Sequence, residues 1–203
     1  MNRLVAIGLG ACALVLAVAP ASAHFILMSP DAWIESNGLG DPQKAAPCGV
    51  SAITAGKETG KVTALTGGGT VHLKIKETVY HPGFYRVALA TMDRTELPKD
   101  PDAVTKDGPH GVLSVSGRIE SNPQPPLLAD GLFLHHERPA NGTFWEADVK
   151  LPNVNCDHCT LQIIQFMEAH PLNKEGDFTY HHCAALKITA NPALPLDKGW
   201  PGQ

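Results

Sequence analysis

The chain has 203 residues, of which 43% are hydrophobic and 18% charged, with 19 glycines and 17 prolines. Those Gly and Pro residues follow no three-residue period and sit among apolar runs, which argues against a fibrous or disordered chain; the length suits one domain with one core. A formal charge of −4 argues against a nucleic-acid partner, which would need a basic face.

Residues 1–23 read as an export signal. Arg3 supplies the positive start, an apolar run covers 4–19, and Ala21-Ser22-Ala23 is a small-x-small cleavage site. The run is shorter than the roughly 20 residues of a spanning helix, and no second stretch is long enough to cross a membrane. Cleavage between Ala23 and His24 would deliver a secreted or periplasmic protein beginning at His24. Leu9-Gly10-Ala11-Cys12 loosely fits a lipoprotein cleavage box, which would instead leave a lipidated Cys12 at the N-terminus. Few apolar residues precede Cys12, and a second apolar run follows it, so the first reading is preferred.

The segments that follow are short and punctuated by turns. Residues 61–66 form a weak strand candidate. Residues 70–76 alternate with period two, placing Val71, Leu73 and Ile75 on one face. Residues 84–89 form the next strand, and a polar loop with Pro98, Pro101 and Pro109 covers 93–109. Further strands are expected at 111–119, 143–151, 159–167 and 183–190, with a Pro-rich connection at 121–126. No helical period is sustained. The pattern predicts an all-β protein, an immunoglobulin/fibronectin-III-like β-sandwich with long loops over 24–190, followed by a Pro-rich tail at 191–203. Asn141-Gly142-Thr143 fits a glycosylation acceptor.

Without Cys12 the chain carries Cys48, Cys156, Cys159 and Cys183, enough for two disulfides in three connectivities. The preferred pairing is Cys48–Cys183 and Cys156–Cys159. Cys156-Asp157-His158-Cys159 could also be half of a zinc site, but there is no second C-x-x-C. It could be a redox pair, but an apolar strand-like run follows where a helix would be expected.

A histidine at a new N-terminus has its own chemistry. The α-amine and ring Nδ1 of His24 can chelate one metal ion, and an amine pKa of about 7.7–8 lets a metal displace the proton near neutral pH. An all-nitrogen site favours copper. One more imidazole would complete three nitrogens. His81, in the turn Tyr80-His81-Pro82-Gly83 that leads into a strand, is a candidate, although by itself it reads first as an ordinary turn histidine. His72 falls mid-strand among lysines. The pairs His135-His136 and His181-His182 would point to opposite faces. His110 and His170 adjoin prolines in loops, and His158 lies inside the cysteine pair.

Several blocks occur in a telling order: His24-Phe25-Ile26-Leu27-Met28-Ser29-Pro30, then 41–49 ending in Pro47-Cys48-Gly49, then His81-Pro82-Gly83-Phe84-Tyr85-Arg86, then Cys156-x-x-Cys159-Thr160-Leu161-Gln162 and Tyr180-His181-His182-Cys183. Together they resemble the bacterial lytic polysaccharide monooxygenase-like proteins, over residues 24–188. The resemblance implies a histidine brace: one copper ion held by the His24 amine, the His24 ring and the His81 ring, with Tyr180, three residues before Cys183, at the axial position. Some relatives place a Gln two residues before that Tyr as a hydrogen-bond donor. Phe178 stands there, and Gln165 on the neighbouring strand is the substitute. An Asp common after the last-strand Cys is Ala185 here.

The expected function is copper-dependent oxidative cleavage of a polysaccharide, with an external electron donor and a polysaccharide surface as partners. Trp33 and Phe84 are candidates for an aromatic face around the metal. The alternative is a secreted or periplasmic copper-binding protein for uptake, storage or buffering, exchanging copper with a donor or acceptor protein. Either would be a monomer without nucleic acid.

Overall fold

The computed structural model describes residues 24–139 and 144–203. The expected signal 1–23, its cleavage point, Cys12 and the Asn141 motif lie outside the described residues. Ten strands follow one another: β1 (His24–Ser29), β2 (Thr63–Thr66), β3 (Thr70–Val79), β4 (Gly83–Ala90), β5 (Ala103–Gly108), β6 (Gly111–Gly117), β7 (Leu127–His135), β8 (Phe144–Lys150), β9 (Cys156–Met167) and β10 (Thr179–Thr189). The one helical turn among the described residues, Arg94–Glu96, is capped by the Asp93 side chain, which accepts from the Thr95 N–H.

The alternation read in residues 70–76 becomes β3, with Val71, Leu73 and Ile75 buried and His72 exposed. β3 is the middle strand of a three-stranded sheet, β1-β3-β8. The second sheet has five strands in the order β2-β10-β9-β4-β7. Phe25, Leu27, the three β3 residues and Val149 belong to one core with Tyr85, Val87, Leu89, Leu161, Ile163 and Leu186 from the five-stranded sheet. The chain is an all-β sandwich, as the short punctuated strands predict.

β4 is buried at every position. Its second face is covered too: Phe84 stacks on Phe166 at 5.2 Å and joins Phe178 and Ala103 in a separate apolar cluster. A strand covered on both faces reads as one continuous apolar run, which is the pattern of residues 84–89.

Three strands depart from the sequence reading. Residues 103–108, inside the expected polar loop, pair antiparallel with β6, and β6 stops at Gly117. β7 shows no alternation in the sequence because Gly131 and Phe133 adopt positive φ and its register against β4 shifts three times. β1 likewise lacks alternation, with register shifts after His24 and Leu27.

Both preferred disulfides are formed, Cys48–Cys183 and Cys156–Cys159. Bridged cysteines leave no thiolates for zinc and suit an oxidising extracellular or periplasmic compartment. Among the described residues no helix is long and apolar enough to cross a membrane. Residues 191–203, set apart in the sequence as a tail, pack on the sandwich. Asn153 Nδ2 donates to the carbonyls of Asn191, Leu194 and Pro195, and Trp200 is buried in the main core.

Candidate metal centre

Strand register brings the two ends of the candidate site together. His24 pairs with Val79 at the end of β3, two residues before His81. The Tyr80-His81-Pro82 turn then enters β4 at Gly83, which pairs with Met167 of β9. Gly83 has φ 149°, and a Cβ there would lie 1.9 Å from the Phe166 carbonyl oxygen. Only glycine lets β4 approach β9 this closely, so Gly83 sets where the His81 turn sits. The Glu168 N–H donates to the Pro82 carbonyl at 2.9 Å, tying that turn to the loop that carries His170.

Four rings form a chain of contacts at this end of the sandwich. His24 meets Tyr180 at 5.4 Å between centroids, Tyr180 meets His170 at 5.9 Å, and His170 meets His81 at 5.0 Å. His24 is 6% exposed, His81 4%, His170 2% and Tyr180 1%, so the cluster lies below the surface.

Polar contacts orient the rings. His24 Nε2 is 3.3 Å from Asp41 Oδ2, which engages the nitrogen that an amine–Nδ1 chelate does not use. His81 Nδ1 is 3.4 Å from the Pro82 carbonyl oxygen, a long contact that orients Nε2 away from that carbonyl. His170 donates from Nδ1 to the Pro171 carbonyl at 2.6 Å, and its buried Nε2 has no hydrogen-bond partner. Burial, with His81 as neighbour, pushes the His170 pKa down to about 4, and burial also lowers that of His81. Both rings are therefore neutral near pH 7, the state in which imidazole binds a metal without losing a proton.

The segment 37–49 supports His24 from outside. Gln43 Oε1 accepts from the Phe25 N–H at 3.1 Å, and the Cys48–Cys183 bridge pins the segment to β10. From the core side, β3 continues its inward period past Val71, Leu73 and Ile75 to Glu77. This carboxylate, 1% exposed, accepts from the Tyr85 hydroxyl at 3.2 Å, Gln165 Nε2 at 2.7 Å and His135 Nε2 at 3.1 Å. Burial disfavours a charged His135, but its hydrogen bonds to Glu77 and to the Phe133 carbonyl outweigh that and raise its pKa.

The expected residues fall in different places. His24, His81 and Tyr180 belong to the ring cluster. Gln165 pairs with Tyr180 across the β9–β10 ladder and spends its amide on Glu77. Phe84 is buried in the second apolar cluster. Trp33 is half-buried, with its Nε1 donating to the Cys48 carbonyl at 3.3 Å and the Arg94 guanidinium 3.8 Å above its ring. Neither forms an open aromatic face.

Of the other histidines, His135 is buried and His136 exposed, as alternation requires, whereas His181 and His182 are both buried because β10 is covered on two sides. His181 Nε2 bonds Asp100 and His182 Nε2 donates to the Phe25 carbonyl. The sequence offers His135 and His170 only as a strand and a loop histidine and does not single out Glu77. Of the three, Glu77 has a local signal, as a carboxylate at the next inward position of β3.

Among the described residues no three His, Cys, Asp or Glu side chains form a metal cage. Two imidazoles and a main-chain amine would be a different donor set, and the ring contacts place His24 and His81 at the same end of the sandwich. No protein-family model matches the chain, and no curated protein matches it.

Proposed function

We propose that the chain, once it begins at His24, holds one copper ion in a histidine brace and uses it to oxidise a polysaccharide. The carrying observation is the ring cluster, in which the first residue of β1 and the His81 turn meet Tyr180 and His170 at one end of the sandwich. The His24 amine, His24 Nδ1 and His81 Nε2 would be the donors, and Tyr180 would stand beside them, packed on the His24 ring. Bound copper would supply one-electron redox chemistry and oxygen activation. Asp41 orients the His24 ring. The net reaction inserts one atom of O₂ into a sugar C–H bond. Two electrons from an external donor and two protons reduce the other atom to water. The hydroxylated carbon then expels the neighbouring sugar.

The alternative, a copper-binding protein without sugar oxidation, is favoured by one observation. The rings lie below the surface, and neither Trp33 nor Phe84 offers a platform for a sugar chain.

The test uses protein starting at His24. Copper affinity and EPR are measured, and the loaded protein is incubated with chitin, cellulose and xylan plus a reductant. Oxidised oligosaccharides support the enzyme. Tight copper without them selects the binding protein, and no tight copper defeats both. His81→Ala is expected to weaken copper binding at least about 100-fold while the sandwich remains folded.

A further inference from the structure

His135 reaches the His81 turn from the neighbouring strand. It pairs with Gly83 in the β4–β7 ladder, and its Nε2 lies 2.8 Å from the His81 carbonyl oxygen and 3.1 Å from Glu77 Oε1. Its Nδ1 lies 2.6 Å from the Phe133 carbonyl oxygen. Trp145 stacks on the ring at 4.7 Å and 29°, and Tyr80 packs at 5.7 Å. The ring is therefore fixed on its edges by oxygens and on a face by an indole.

Glu77 is fixed in turn. Tyr85 and Gln165 donate to the oxygen that faces His135, so the carboxylate is anchored to β4 and β9 as well as to β3. All five residues Glu77, Tyr85, His135, Gln165 and His81 are at most 8% exposed. Buried polar groups joined this way have few alternative arrangements, because each broken bond leaves an unsatisfied group.

We infer that Glu77 and His135 are positioning residues for the metal site: a buried carboxylate–imidazole strut that holds the His81 carbonyl and thereby sets where the His81 ring stands relative to His24. Neither residue touches the metal. The inference rests on the copper reading above. It assigns a task to a carboxylate that the brace itself leaves unused. Such outer partners of metal ligands typically carry about 10–100-fold in metal affinity.

The experiment compares wild type, His135→Ala and Glu77→Gln, each starting at His24, by copper titration, EPR and thermal melting. The expected result is a 10–100-fold loss of copper affinity for His135→Ala and a 3–10-fold loss for Glu77→Gln, with altered copper hyperfine coupling in both. A lower melting temperature with wild-type affinity and an unchanged EPR spectrum would overturn the inference, since the strut would then serve stability alone. If His135→Ala does not fold, Glu77→Gln, which keeps the side-chain shape, decides by the same criteria. Wild-type protein that binds no copper would defeat the underlying reading, an outcome distinct from variants that match a copper-binding wild type.

Discussion

The two disulfides should differ sharply in what they contribute. Cys48 and Cys183 are 135 positions apart, and Cys156 and Cys159 only 3. The loop-closure model assigns about 5 kcal/mol to the long bridge and about 2 kcal/mol to the short one. Cys48 and Cys183 are nearly fully buried, so replacement by alanine introduces no buried polar group. With a urea m-value of about 2 kcal/mol/M, Cys48→Ala with Cys183→Ala should lower the unfolding midpoint by about 2.5 M, and Cys156→Ala with Cys159→Ala by about 1 M. Urea unfolding of both double variants and wild type, with and without reductant, measures this. Full reduction should bring all three to a similar midpoint. The long bridge also holds the segment whose Asp41 and Gln43 contact His24 and Phe25, so its loss should weaken copper binding as well. A Cys48/Cys183 variant within about 0.5 M of wild type, or a larger loss from the short bridge, would show that loop length does not set what each bridge contributes.

Gly83→Ala should destabilise the fold by about 2–3 kcal/mol or more, because its Cβ would collide with the Phe166 carbonyl; an unchanged melting temperature would refute this. Trp200→Ala should cost about 3–5 kcal/mol, read as a fall in melting temperature of roughly 10 °C, if the C-terminal segment is part of the core. Burial holds the His182 pKa down to about 4. An unfolded histidine titrates near 6.5, so the unfolded state binds the extra proton first and stability falls as pH drops from about 6.5 to 4. The loss reaches about 3 kcal/mol and is absent at pH 7. His182→Leu should flatten that part of the stability–pH curve measured by urea unfolding, and an equal slope in both proteins would contradict the assignment.

Period-two alternation in residues 70–76, turn punctuation and the four cysteines that follow the expected signal make an all-β sandwich with two disulfides legible in the sequence. These are local properties: a strand buried on one face must alternate, and cysteines can be counted. The same letters named His24, His81 and Tyr180 as candidates. They gave no way to see β1 or β7, whose bulges break the alternation, or β5, whose polar residues pair only with β6.

Tertiary structure alone decided that His170 joins His81 and Tyr180, that Gln165 turns to Glu77, and that Phe84 is core. It also decided that His135 bonds the His81 carbonyl across 54 positions. Each of these depends on which distant strands pair and on what covers their outer faces. Burial and hydrogen-bond partnership are properties of that packing, and a residue's immediate neighbours in the chain do not carry them.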